Sequence, residues 1–383
     1  MNKSLNLLLA VIMILVLAIS ACAPAATAAP TELPDPTKAP PTQAPPTEAL
    51  PTEAPTEAPA TEAPTTEPPT PTAPPPAVCD KLPNAPEAPA AGELGSADNP
   101  IVITFVPSGD TGKITTAGTA IAECLSEMTG LNFEMEVGTS FAASIEAMGA
   151  EKAQVGFLNT FSALLAGAKY GVTPSLVAIR KYATNDLDPD NALGDELQPF
   201  YKAQFIANAD AGINSFADLK GKTFCFVDPN STSGYIIPRI ILAANGINPD
   251  VDFAATQNAG SHPNVAIAVY QGDCDAGVTF INVLTDGSAD LQATYPDITD
   301  KVKVFAVSDR IPNDGMQFIQ SLDPGLQSVI VEGMMAMAED PGGKAVLKSL
   351  YNYDAFQEVD PAFYNEFLAV LVAAGVDPAS LVK

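Results

Sequence analysis

From residue 99 onward the chain alternates short apolar runs with stretches whose apolar residues recur at helical spacing. "PIVITFVPS" is an apolar run of strand length, and Ile114, Ala117, Ile121, Leu125 and Met128 then fall on one side of a helix that Gly130 ends. "NFEMEVG" sets Phe133, Met135 and Val137 against Asn132, Glu134 and Glu136, the alternation of a strand. Phe141, Ile145 and Met148 make a second helical stripe and "AQVGFLN" a third strand, so the segment reads β-α-β-α-β. Such alternation predicts an α/β fold in which helices cover a mostly parallel sheet.

A second unit of the same kind lies inside the first. "KTFCFVD", "YIIPRIILAANG" and "DCDAGVTFI" form strand, helix and strand between two further strand-like runs, "YKAQFIANAD" and "VKVFAVSD". Those two runs read as crossings between lobes. Residues 99–204 and 306–383 then build one lobe, closed by helices around "GLQSVIVEGMMAMA" and "EFLAVLVAAG", and residues 205–305 build the other. Ligands of open α/β sheets bind beyond the carboxyl ends of the strands, which places the expected site in the cleft between the lobes.

The first hundred residues carry no such pattern. Residues 1–22 run from Met1-Asn2-Lys3 through "LLLAVIMILVLAIS" to Ser20-Ala21-Cys22: a basic start, an apolar segment and the small-residue cleavage site of an export signal. "AISAC" resembles the bacterial lipobox, in which Cys22 becomes the lipidated first residue. The apolar run is at the short end of the ~17 to 25 residues that span a bilayer. Residues 23–98 collapse into Pro, Thr, Glu and Ala, with "PTEAPTEAPATEAP" as an imperfect repeat. Such a tract has too little apolar surface to offset its ordering entropy and reads as an extended, disordered linker.

Charge and cysteine count narrow the chemistry. A net charge of −27, from 45 acidic and 18 basic residues without a basic stripe, speaks against nucleic acid as a partner. Five cysteines without CxxC spacing and one histidine speak against a zinc site, and no metal or cofactor is expected. With Cys22 lipidated, four cysteines remain in an exported chain, where disulfides are favoured. The preferred pairing joins Cys79 to Cys124, the linker end to the first helix, and Cys225 to Cys274, two neighbouring strands; buried free thiols are the alternative.

The chemistry concentrates in "DPNSTSGY", Asp228 to Tyr235. An interior proline is costly in a helix and one in the first turn is not, so Pro238 sets the next helix to begin near Gly234 to Ile237, with Asn245-Gly246 at its end. Ser231, Thr232 and Ser233 therefore sit at a helix N-terminus directly after a strand, where orphan N–H groups and the helix dipole favour an anion. One ordinary N-cap with two solvated neighbours is the plainer alternative. Distant carboxylates are screened beyond ~8 Å, whereas a hydrogen bond to a charged group contributes about 1.5–3 kcal/mol. The expected cradle consists of neutral donors, which tie a dianion less rigidly than an arginine clamp.

"DLKGKTFCFVDPNSTSGYIIPR" and "GSHPNVAIAVYQGDCDAGV" resemble the phosphonate-binding proteins of ABC transporters, in the phosphate/phosphite/phosphonate branch of the periplasmic-binding superfamily, and the resemblance extends over most of residues 100–320. It implies a type II two-lobed periplasmic-binding-protein fold and a monomeric, extracytoplasmic, non-catalytic binder that closes on a small oxyanion and delivers it to a permease and its ATPase. By the same resemblance Ser231, Thr232 and Ser233 hold phosphonyl oxygens and His262 donates to the same group. Asn159, Thr160 and Ser108 approach from the first lobe, Tyr235 and Phe141 wall the pocket, and Asp314 of "IPND" supplies a carboxylate. Family members commonly carry tyrosine where Phe141 stands and acidic residues near Thr279 or Asn282. An acid there would accept from a protonated phosphoryl oxygen or an amino group, so its absence speaks against an aminophosphonate and leaves open a compact ligand such as phosphite, phosphate or methylphosphonate, or another small anion.

Three rival readings remain from the sequence. One is a binder of sulfonates or thiamine-type precursors, another a sensory or adhesive surface lipoprotein. The third is a hydrolase with Ser231, His262 and Asp275 as a triad, for which "NSTSG" lacks the G-x-S-x-G elbow.

Overall fold

The computed structural model describes residues 74–183, 185–188 and 193–381, so the expected export signal, Cys22 and most of the linker lie outside the described residues. The first lobe opens with β1 (Ile101–Phe105), α1 (Thr111–Thr129), β2 (Phe133–Val137), α2 (Phe141–Gly149), β3 (Val155–Phe157) and α3 (Thr160–Tyr170). Asp110 caps α1 by accepting from the Lys113 N–H at 2.8 Å, and Gly130 ends it in the left-handed conformation at φ 76°. The chain then forms β4 (Thr173–Ala183), β5 (Leu193–Gln198) and the two-residue β6 (Phe200–Tyr201).

The second lobe holds β7 (Ala203–Asn208), β8 (Thr223–Phe226), α4 (Ile237–Ala244), β9 (Ala255–Asn258), α5 (His262–Gln271), β10 (Ala276–Phe280) and β11 (Val302–Val307). The return to the first lobe passes through β12 (Ile311–Pro312) into β13 (Gly315–Phe318), α6 (Pro324–Glu339), α7 (Pro341–Tyr351), β14 (Ala355–Glu358) and α8 (Asn365–Ala373).

Among the described residues the two lobes hold one large sheet each, ordered β14-β4-β13-β3-β1-β2 with β5 beside β4, and β11-β7-β10-β8-β9. Each is parallel only through its β-α-β part: β1 runs with β2 and β3, and β8 with β9 and β10. The neighbours β13 and β7 are antiparallel to β3 and β10, so the sheets are mixed rather than mostly parallel. The reason is topological. A strand that enters a lobe from the other lobe starts at the cleft, whereas β1, β3, β8 and β10 end there, so the entering strand runs the opposite way.

The crossings also lie elsewhere than the sequence pattern suggests. "YKAQFIANAD" and "VKVFAVSD" supply β7 and β11, paired with each other inside the second sheet. The chain crosses instead at β6 and β12, which form their own two-stranded ladder with Ile311 opposite Tyr201. Asn313 fastens this crossing to the first lobe by donating from Nδ2 to the carbonyls of Ala178 at 2.8 Å and Gln198 at 3.1 Å.

The first lobe packs around Ile101, Ile103, Phe105, Phe157 and Met334, and the second around Phe205, Phe224, Phe226, Val278 and Leu242. Cys79 is disulfide-bonded to Cys124 on α1, and Cys225 on β8 to Cys274 just before β10. The end of the Pro-rich tract, expected to stay extended to residue 98, is folded onto this lobe. Leu82 is buried in the core and its N–H donates to the Met128 carbonyl at 2.8 Å. The Val78 N–H donates to Asp340 Oδ2 at 3.1 Å. The disulfide and Leu82 supply the apolar anchoring that the repeat itself lacks.

Candidate functional site

The hydroxyl cluster follows β8. Ser231 is an N-cap whose Oγ accepts from the Gly234 N–H at 3.1 Å, and residues Thr232–Ile236 form one wide π-type turn before α4. The α-helix begins at Ile237, within the expected Gly234 to Ile237, and the π-type turn leads into it from Thr232. Pro238 explains the widening: it has no N–H to close onto the Gly234 carbonyl, which accepts instead from Val227 N–H at 3.0 Å. Only glycine permits this approach, because a Cβ on Gly234 would stand 2.3 Å from Val227 Cγ2. All three hydroxyl residues are buried.

Ser231 and Ser233 line a cavity of about 40 Å³ between the lobes, together with His262, Phe141, Asn159, Asp314 and Ser108 of the expected set. The other three expected residues do not line it. Thr232 turns away from its neighbours, and its Oγ1 accepts from Asn159 Nδ2 at 2.9 Å and from the Phe161 N–H at 2.8 Å. It therefore bridges the lobes at the N-terminus of α3. Thr160 donates to the Pro312 carbonyl at 2.7 Å and belongs to the crossing. Tyr235 packs edge-on against Phe226 and under the Arg239 guanidinium. In this turn Ser231 and Ser233 face the cavity, while Thr232 between them is taken up by Asn159 and Phe161.

His262 opens α5, as its Gly-Ser approach suggests, with Ser261 as N-cap. Its backbone N–H reaches across the cleft to the Ser108 carbonyl at 3.1 Å. The ring has a defined tautomer: Nδ1 accepts from the Phe280 N–H at 2.9 Å, so the proton resides on Nε2, which lies 3.4 Å from Ser231 Oγ. Burial lowers the imidazole pKa to about 3. His262 is thus a neutral N–H donor at the cavity wall.

The sequence reading missed the strongest charge in the cavity. Arg180, on β4, reaches it with NH2 2.5 Å from Asp314 Oδ1, and Tyr353 O–H donates to Asp314 Oδ2 at 3.1 Å. The cradle is therefore not built of neutral donors alone. A signal existed: Leu176, Ala178 and Arg180 share one face of β4, and the first two are fully buried. A charge continuing a buried face is a site candidate. Tyr201, also missed, lines the cavity together with Ser233, and burial pushes its phenol up to about 12, so it keeps its proton. Among the described residues no cluster of His, Cys, Asp and Glu could hold a metal ion.

Two α/β lobes with a small cavity at the carboxyl ends of four strands define a bilobal solute-binding protein of the periplasmic type. A sequence profile of the family described as "ABC transporter, phosphonate, periplasmic substrate-binding protein" matches residues 103–364, and the chain belongs to that family.

Among curated relatives, the chain is 29% identical over 187 residues to the phosphate-import protein PhnD of Mycolicibacterium smegmatis, covering 47% of this chain and 54% of the relative. It is 33% identical over 157 residues to the phosphonates-binding periplasmic protein of Escherichia coli, covering 40% and 45%. The matches span about half the length of these curated relatives. The fold is shared with PhnD1 of Prochlorococcus marinus, solved in complex with methylphosphonate, at a TM-score of 0.59 and 16% identity over 72% of this chain and 98% of that one. Among the described residues no helix is long and apolar enough to cross a membrane.

Proposed function

We propose that this chain is a lipid-anchored solute-binding protein of an ABC importer, which captures a compact phosphorus oxyanion between its lobes and hands it to a permease powered by an ATPase. The observation that carries this reading is the convergence of Ser231, Ser233, the Nε2–H of His262 and Arg180 on one cavity of about 40 Å³. Room of that size holds roughly three waters, about what phosphite, phosphate or methylphosphonate displaces. A longer phosphonate would require the lobes to part. Cys22 would carry the lipid, and the Pro-rich tract would hold the monomeric binding unit off the extracytoplasmic membrane surface.

The geometry supports binding without catalysis. A nucleophilic serine needs a basic ring nitrogen, yet the nitrogen facing Ser231 carries the proton and the other accepts from Phe280 N–H. Asp275, the acid of the rival triad, accepts instead from the backbone N–H and hydroxyl of Thr223.

The test is isothermal calorimetry on the full chain in detergent, stripped of ligand by unfolding and refolding, against phosphite, phosphate, methylphosphonate, 2-aminoethylphosphonate and sulfate. Binding of a compact phosphorus oxyanion is expected. Silence across the panel would overturn the reading and favour a sensory or other nutrient role. For the anchor, Cys22→Ser should release the protein from the membrane.

A further inference from the structure

The charges in the cavity say more than that it takes an anion. Among the described residues Arg180 and Asp314 are the two charged side chains on its wall, since His262 is neutral. A lone carboxylate there would repel an oxyanion and attract a ligand ammonium. Here both carboxylate oxygens already accept donors, Oδ1 from Arg180 and Oδ2 from Tyr353. The guanidinium is held in place by the rings of Tyr353 at 4.9 Å and Tyr201 at 5.7 Å. One guanidinium nitrogen donates to Asp314 and the side chain also lines the cavity, so further charged N–H groups remain there for a ligand oxygen.

We infer that Arg180 determines specificity: it offers charged N–H donors to the oxyanion and neutralises Asp314, so that phosphonates bearing an ammonium group are rejected. This rests on the oxyanion reading of the site and deepens it. A cationic substituent that displaced Arg180 from Asp314 would strand a buried guanidinium, and one that did not would meet a like charge without a counter-ion.

Calorimetry on the full chain tests it with ethylphosphonate and aminomethylphosphonate, equal in size and differing by methyl against ammonium, beside methylphosphonate. The wild type should prefer ethylphosphonate to aminomethylphosphonate by about tenfold or more. In Arg180→Met the preference should shrink or reverse, and methylphosphonate should bind about tenfold or more weakly. The double variant Arg180→Met/Asp314→Asn leaves no unpaired charge and decides alone if the single variant does not fold; it should bind methylphosphonate weakly and treat the pair alike. Unchanged methylphosphonate affinity in the variants, or an unchanged preference within the pair, would overturn the inference. If the wild type takes neither member of the pair, the methylphosphonate affinities of the variants decide. A wild type that binds methylphosphonate alongside unaffected variants removes this inference alone, whereas a wild type blind to every phosphorus oxyanion removes the functional reading as well.

Discussion

The Phe280 N–H donates to His262 Nδ1 at 2.9 Å, and this one bond at the end of β10 decides what the chain's single histidine presents to the cavity. A backbone donor on Nδ1 requires a lone pair there, so the ring proton is on Nε2. Nitrogen-15 NMR of the imidazole needs no assignment in a one-histidine chain. It should report the neutral Nε2–H tautomer from pH 8 down to pH 5 in the ligand-free protein. A titration midpoint near the ordinary value of 6.5 would contradict the buried, accepting ring.

The same burial makes stability depend on pH. The folded pKa, about 3, lies below the ordinary 6.5, so below pH 6.5 the unfolded chain takes up a proton that the folded chain does not. The contribution is therefore fully present above pH 6.5 and is lost as pH falls from there toward 3. The loss between pH 6.5 and 5 should be roughly 2 kcal/mol. Urea unfolding at the two pH values, compared with His262→Gln, isolates the effect: the variant should lose less stability by about that amount.

The hydroxyl cluster should divide by role. Ser231→Ala/Ser233→Ala should weaken oxyanion binding by about tenfold to a hundredfold. Ligand-free stability should fall by about 1 kcal/mol, from the lost N-cap. Thr232→Val instead leaves the Phe161 N–H without its acceptor and Asn159 Nδ2 with the Asn230 carbonyl alone. It should cost about 1–3 kcal/mol and shift the lobes toward an open arrangement, visible as a larger radius of gyration in X-ray scattering. A Thr232→Val protein as compact and stable as wild type would remove the bridge.

Gly234 should tolerate no side chain. Besides Val227 Cγ2, a Cβ there would meet Ser231 Oγ at 2.9 Å, so Gly234→Ala must displace either the buried valine or the capping hydroxyl. A loss of about 1–3 kcal/mol in urea unfolding is expected, with weaker oxyanion binding. Wild-type values on both counts would mean that the wide turn is not needed.

The two disulfides offer a further check. Each closes a long loop, with Cys225 and Cys274 separated by 49 residues, and opening one such loop costs about 2–5 kcal/mol. Cys225→Ala/Cys274→Ala should lower the unfolding midpoint accordingly, while leaving oxyanion affinity of the folded protein unchanged, because neither sulfur lines the cavity.

Local features of the sequence were sufficient for the α/β units, the hydroxyl turn and the histidine at a second helix start. Strand and helix periods, Pro238 and the Gly-Ser before His262 act on their immediate neighbours, so they are legible in one dimension. The tertiary structure alone decided which hydroxyls face the cavity, because Thr232 is claimed by α3 from the other lobe. It also decided where the chain crosses, since two-residue strands such as β6 and β12 carry no period. Above all it placed Arg180 against Asp314, 134 residues apart and linked only by the pairing of β4 with β13. Pairing between distant strands is set by which faces the core buries together, and no local pattern in either segment records its partner.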